Sequence, residues 1–231
     1  MDYKLPLLAY SSLIAYFYQS TDGFDQKDIL SYCMLKSLPI WFLSAVAYYS
    51  DPHEKDIARV RLALGLLFGG IGDFFISTSE AGFDLAIITF GIGHIFYIAY
   101  FGSRLAKFSA PVAAFCMLYA FVVNHFLVIP YLWHIPLQMI LIIAYSFVIS
   151  AAVIVAGSLF HHGSHDSRFG TEYQALIVGY CLFFVSDTVI LLNKLQYNFA
   201  HNHEFILFTY YAAQYLIYHN AVGTEKKALV Q

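Results

Sequence analysis

The sequence predicts an all-α, polytopic membrane protein of about eight transmembrane helices, and three observations predict it. Hydrophobic residues make up 60% of the 231-residue chain and charged residues 12%, about half the charge of a soluble domain. The mean hydropathy is +0.64. The apolar residues are also gathered into runs close to the ~20 residues that a bilayer requires, separated by short polar breaks. A net charge of −3 with no basic stripe excludes a nucleic-acid partner. Cys33, Cys116 and Cys181 stand singly in apolar runs and read as buried thiols, neither a disulfide framework nor a metal cluster.

In chain order the runs place spans at 4–19, 31–50, 57–77, 83–103, 109–129, 136–159, 171–192 and 203–221. The first, with Leu5 to Tyr18 as its apolar stretch, has the length of a signal peptide but no basic leader and no A-x-A-like cleavage site, so it is expected to stay as a helix. Polar Ser20 to Asp28 ends it, and charged Asp51 to Arg61 ends the second. Pro111 sits in the first turn of the fifth span, which Asn124 and His125 interrupt; Pro130 and Pro136 bracket the next turn. His161 to Gly170 is the longest polar loop. The whole chain, 1–231, reads as one transmembrane domain.

Orientation follows from Lys and Arg near the span ends. Eight spans put both termini on one side, together with Lys4, Lys55, Arg59, Arg61, Arg104, Lys107, Arg168, Lys226 and Lys227. The other side holds Lys27 and Lys194, and Lys36 lies within a span. Both termini are therefore expected in the cytoplasm, and in a eukaryotic cell the default membrane is the endoplasmic reticulum.

Two spans each contain one carboxylate. Asp73 lies in LALGLLFGGIGDFFI and Asp187, 114 residues later, in VGYCLFFVSDTVILLN. An isolated charge at such depth costs about 3 kcal/mol on insertion scales, so each acid must face protein or water and is a functional candidate. At the same offset Tyr97 matches Tyr211, which suits two parallel four-helix halves around a polar pocket. Both acids are expected about one turn from the far end of their spans, with Lys36 entering at similar depth. Two neighbouring carboxylates divide into an acid and a conjugate base, as acid/base chemistry requires.

The helix faces agree. Gly65, Gly69 and Asp73 recur every four residues, a small-residue face that admits a close neighbour. Gly179, Phe183 and Asp187 repeat that spacing; Gly91, His94 and Tyr97 lie three apart, and Tyr211, Gln214 and Tyr218 form a stripe with Tyr210 beside it. The competing explanation for Tyr97, Tyr210, Tyr211 and Gln214 is interhelical glue. For Lys36 it is snorkelling to the interface, and for His94 a satisfied core histidine. The clusters His161, His162, His165 and His201, His203, Glu204 read as solvated loops, because neither has helical H-x-x-x-H spacing.

Lys36-Ser37-Leu38-Pro39, Gly72-Asp73, Gly93-His94-Ile95-Phe96-Tyr97, Ser186-Asp187 and Thr209-Tyr210-Tyr211-Ala212-Ala213-Gln214 follow one another over Leu35 to Ile217. In order and spacing this series resembles the YhhN-type lysoplasmalogenase family. That family usually has Lys-Pro where Lys36-Ser37 stands here, and often an aliphatic residue three after the first Asp, as Ile76 is. The resemblance implies a membrane hydrolase that cleaves the vinyl-ether bond of lysoplasmalogens to a fatty aldehyde and glycerophosphoethanolamine or glycerophosphocholine. It implies Asp73 and Asp187 as the catalytic pair and no cofactor or metal. Its partners would be a lysophospholipid substrate and the bilayer; oligomeric state is left open. The sequence leaves open which of the two is the acid; Asp187 is favoured, because Phe183, Phe184 and Val185 make its surroundings drier. Lys36 would hold Asp73 charged or meet the phosphate. His94, Tyr97, Asn193, Tyr210, Tyr211 and Gln214 would line the headgroup and glycerol pocket.

Other readings compete. Gly70-Ile71-Gly72-Asp73 is a G-x-G-D, as in intramembrane aspartyl proteases, but here it comes in the first acid-bearing span and no Pro-Ala-Leu motif follows. A proton-coupled transporter would also use intramembrane acids; against it, both acids lie near one surface and no span is plainly broken at its centre. A purely structural membrane protein is the remaining reading.

Overall fold

Lipid offers no partner to a backbone N–H or C=O, so an apolar run of this length closes its own hydrogen bonds as a helix. The computed structural model describes residues 4–26, 28–49, 56–165, 170–197 and 199–228, and every regular element among them is helical. Eight α-helices follow in order: α1 (Lys4–Ser20), α2 (Ile29–Tyr49), α3 (Asp56–Ile76), α4 (Glu80–Gly102), α5 (Ala110–Val123), α6 (Pro136–His162), α7 (Gln174–Lys194) and α8 (Asn202–Ala228). Of the residues behind the orientation argument, Lys27, Lys55 and Arg168 lie outside the described residues, as do the side chains of Lys226 and Lys227.

Among the described residues, five stretches are long and apolar enough to cross a bilayer: α2, α4, Ala110–Tyr131, α6 and α7. α3 and α8 are less apolar for a structural reason. α3 opens on Asp56, Arg59 and Arg61, and α8 turns Tyr210, Tyr211, Gln214, Tyr218 and Asn220 into the bundle. Polar side chains facing protein lower a helix's mean hydropathy without exposing it to lipid.

Local signals set the ends. Ser79 caps α4, its hydroxyl accepting from the Gly82 N–H at 3.0 Å. The interruption at Asn124 and His125 is a π-helical turn, Asn124–Val128, passing into a 3₁₀ turn at Ile129–Tyr131; Asn124 Nδ2 donates to Ser146 Oγ of α6 at 2.8 Å. Pro39, inside α2, has no N–H to give to the carbonyl one turn back. One residue on from that carbonyl, Lys36 O accepts from the Tyr211 hydroxyl at 2.7 Å, which ties α2 to α8 where its ladder is weakest.

α3 packs closely against α2 and α4, α7 lies against α8, and α4 crosses to α6. The small-residue face of α3 makes this possible. A Cβ at Gly65 would lie 2.4 Å from the Tyr97 ring, and one at Gly72 would lie 2.7 Å from the Phe90 ring. The sequence expectation for cysteine holds at Cys33 and Cys116, but Cys181 is exposed. It shares the outward face of α7 with Val178 and Val185, three and four residues away, so the apolar run there is a lipid-facing stripe and not a core.

Candidate active site

Asp73 is buried, with 2% of its surface exposed, in the last turn of α3. Its Oδ2 accepts from the Tyr210 hydroxyl at 2.7 Å. Gln214, one turn along α8, donates through Nε2 to the Tyr210 oxygen at 3.2 Å and accepts from the Tyr97 hydroxyl at 2.8 Å. A Cβ at Gly69 would meet Gln214 Nε2 at 2.9 Å, so the missing side chain there is what lets the amide approach α3. Lys36 is also buried and within electrostatic reach of Asp73; its Nζ donates to Ser77 Oγ at 3.3 Å. Lys36 therefore does not snorkel. Asp73, Tyr210, Gln214 and Tyr97, from three helices, form one hydrogen-bonded chain, with Lys36 of α2 near the carboxylate.

Asp187 belongs to a different group. Its Oδ2 accepts from the Tyr145 hydroxyl of α6 at 2.6 Å. Both residues line a cavity of about 780 Å³ including its open side. Phe83, Ala86, Ile87 and Phe90 of α4 form one wall; Ile142 and Ile149 of α6, and Phe184 and Leu191 of α7, form two more. Tyr119, Ala120 and Val123 of α5 close the outside. The polar atoms in this lining come from Asp187, Tyr145, Ser146, Ser150 and a hydrogen-bonded pair, Tyr119 with Thr188.

The expectation that both acids border one polar pocket is corrected here. Asp187 borders the cavity and Asp73 does not. Between them stands Phe90, which lines the cavity, covers Gly72 and meets the Tyr210 ring edge-on at a centroid distance of 6.0 Å. Phe183 packs on the same tyrosine at 5.3 Å.

His94 lies between the two groups. Its ring is 6.0 Å from that of Tyr97 on the Asp73 side and 5.9 Å from that of Tyr145 on the Asp187 side, and 4.6 Å from Phe183. It is 2% exposed, and neither ring nitrogen has a hydrogen-bond partner among the described residues. This is not the satisfied core histidine that the sequence also allowed.

The YhhN family model matches residues 31–221, a range that contains every residue of both groups. The chain belongs to the YhhN family. It is similar to the lysoplasmalogenase TMEM86A of Bos taurus, 28% identical over 204 residues, which is 84% of this chain and 79% of that protein. To the human lysoplasmalogenase TMEM86A it is 28% identical over 206 residues, again 84% and 79% of the two chains. No solved structure matches it.

Within this YhhN chain, Asp73, Tyr97, Tyr210 and Gln214 come together as a hydrogen-bonded chain, with Lys36 near its carboxylate. Two further expected residues sit elsewhere. Asn193 Oδ1 accepts from Asn202 Nδ2 at 2.7 Å, joining the end of α7 to the start of α8. The Tyr211 hydroxyl donates to the α2 backbone, and its ring forms a T-shaped pair with that of Tyr10 at a centroid distance of 6.3 Å. Of the histidines expected in solvated loops, His161 and His162 end α6 and His203 lies in the first turn of α8; His203 bonds the Tyr32 hydroxyl of α2 at 2.8 Å and His161 bonds Ser109 Oγ at 2.8 Å, both across the bundle, while His201 bonds Glu204 locally at 3.1 Å. Tyr145, the partner of Asp187, was not legible as such, although Ser146 and Ser150 in the same apolar run mark a polar face at helical spacing. Chemically, the arrangement offers one carboxyl group at the wall of an apolar chamber and a second held in polar contacts behind an aromatic partition.

Proposed function

We propose that the protein is a lysoplasmalogenase, hydrolysing the vinyl-ether bond of a single-tailed alkenyl glycerophospholipid to a fatty aldehyde and the glycerophospho-ethanolamine or -choline. The observation that carries this reading is Asp187, a carboxyl group set in the wall of a largely apolar cavity and held there by Tyr145. The names of the related mammalian proteins support the same reaction.

An enol ether is broken by protonating its β-carbon. With Asp187 as the acid, its proton goes to that carbon, the double-bond electrons form the new C–H bond, and the adjacent carbon becomes an oxocarbenium ion. Water adds to the cation and returns a proton to the Asp187 carboxylate. The hemiacetal then collapses: its hydroxyl loses a proton, the C–O bond to glycerol breaks, and the glycerol oxygen takes a proton through the same carboxyl group. The sum is one water consumed, with Asp187 regenerated. This parallels the acid and base duties of carboxylates in glycoside hydrolysis.

Asp73 serves as the second carboxylate without entering the chamber. In a low-dielectric interior a fixed negative charge acts over several ångströms, so Asp73, held by Tyr210, would stabilise the cationic intermediate from behind Phe90. Lys36 balances that charge in the resting protein. We further place all eight helices across the bilayer as two four-helix halves, with both termini in the cytoplasm and, in a eukaryotic cell, in the endoplasmic reticulum.

The test is to incubate purified protein with an alkenyl lysophospholipid and its acyl analogue and to assay free aldehyde. Aldehyde from the alkenyl substrate alone is expected. Uptake into proteoliposomes with no hydrolysis would replace this reading with transport, and cleavage of a transmembrane peptide would replace it with proteolysis.

A further inference from the structure

Resting on that reading, we infer that Glu80, Asp84, Gln138 and Lys194 at the mouth of the cavity form a headgroup site for a zwitterion, with phosphate on Lys194 and a primary ammonium on the two carboxylates. These residues come from the first two turns of α4, the first turn of α6 and the last turn of α7, the ends at which Phe83, Ile142 and Leu191 line the cavity. Lys194 lies over the Phe83 ring, its Nζ 4.8 Å from the centroid, and is paired with Glu80. The side chain of Lys194 is 17% exposed and that of Glu80 is 85% exposed, so the cation is pressed onto the Phe83 ring that lines the cavity while the anion faces outward. Gln138 is only 6% exposed and donates to Asp84 Oδ1 at 2.8 Å. That fixes the Asp84 carboxylate and leaves its second oxygen for another donor.

The spacing suits a lysophospholipid. Lys194 is seven residues beyond Asp187 on the same helix, about 10 Å along the axis. In the substrate, six covalent bonds of about 1.5 Å separate the vinyl carbon from phosphorus, roughly 8 Å when extended. With the vinyl ether at Asp187, the phosphate thus comes within reach of the lysine, and the amine falls a few bonds further out, toward Glu80 and Asp84. Binding would exchange one exposed ion pair for two: phosphate takes the place of Glu80 on Lys194, and the ammonium takes the place of Lys194 on Glu80. A solvent-facing pair is held weakly, so opening it costs little.

The same chemistry sets a preference. A primary ammonium donates up to three hydrogen bonds, which Glu80, Asp84 and the Gln138 carbonyl oxygen can accept. A trimethylammonium group donates none and binds best against aromatic faces, and Phe83 is already covered by Lys194. The mouth therefore favours ethanolamine over choline.

Aldehyde release should be measured on purified full-length protein with three alkenyl substrates: ethanolamine, choline and a bare phosphate headgroup. The wild type is expected to favour ethanolamine. Asp84→Asn should raise KM for that substrate roughly tenfold, the ordinary worth of one hydrogen bond to a charged group, and leave the bare phosphate unchanged; Glu80→Gln, which also frees Lys194 from its ion pair, should lower KM for the bare phosphate and erase the preference for ethanolamine. Lys194→Met should raise KM for all three. In parallel, binding of the corresponding alkyl analogues, which have no double bond to cleave, is followed by thermal shift. Analogue binding that depends on Asp84 with no aldehyde from any substrate would uphold the headgroup site and sink the enzyme. Aldehyde release with equal use of the three headgroups, or carboxylate variants that alter all three alike, would overturn the headgroup site and leave the enzyme standing.

Discussion

The Tyr145 hydroxyl donates to Asp187 Oδ2 at 2.6 Å across the gap between α6 and α7, and both side chains line the same cavity. A phenol aimed at one carboxylate oxygen fixes the group's rotamer and leaves the other oxygen to face the chamber. If Asp187 carries the proton transfers, Asp187→Asn should lower kcat for aldehyde release by at least about 10³-fold, at the upper part of the range for general acid–base catalysis. Tyr145→Phe keeps the ring and loses the orientation, so a smaller loss, roughly tenfold, is expected. Full activity in Asp187→Asn, with folding verified by a cooperative thermal transition, would remove that residue from the mechanism.

Asp73 should behave differently, because Phe90 separates it from the cavity. Asp73→Asn should reduce kcat by about 10- to 100-fold, with KM little changed, as befits a charge that acts only on the cationic intermediate. Tyr210→Phe should follow it in direction. Equal losses in Asp73→Asn and Asp187→Asn would instead indicate that both carboxyl groups meet the substrate.

At His94, stability and activity should move in opposite directions. A buried imidazole with two unpartnered nitrogens costs about 1–3 kcal/mol for an unmet polar group. His94→Phe should therefore raise Tm by several degrees. A substrate-contacting histidine would show this gain together with lost turnover; unchanged turnover would make His94 a packing residue only.

The close approach of α3 and α4 is tested by Gly65→Ala. The added methyl would sit 2.4 Å from the Tyr97 ring, and overpacking of this kind costs about 1–3 kcal/mol. Because Tyr97 holds Gln214, Gly65→Ala should also disturb the network around Asp73. Pairing it with Tyr97→Leu should restore stability, measured by thermal unfolding, and not activity.

Much of this architecture is legible in the sequence because lipid simplifies the rules. Apolar runs bounded by Pro, Ser and charge mark the helices within a few residues, and the G-x-x-x-G-x-x-x-D spacing of α3 correctly marks the face that receives α8's Gln214 and Tyr210. Which helix each acid faces is not legible. Asp73 and Asp187 occupy similar depths in similar runs, and their separation depends on how α4, α6 and α8 are arranged around them, which no local pattern encodes. Tyr211 looks like a pocket residue by helical spacing and Asn193 by the family resemblance, yet each joins two helices. Tyr145 escapes notice because a tyrosine in a membrane helix is common, and only Asp187 beside it gives it meaning.

Each carboxylate answers to its own tyrosine, Asp73 to Tyr210 and Asp187 to Tyr145. Substitutions around one should therefore leave the other's geometry intact, and double-mutant cycles between the two groups should come out nearly additive for folding while showing coupling in turnover. The protein is thus built so that its chemistry can be retuned at one centre without rebuilding the other.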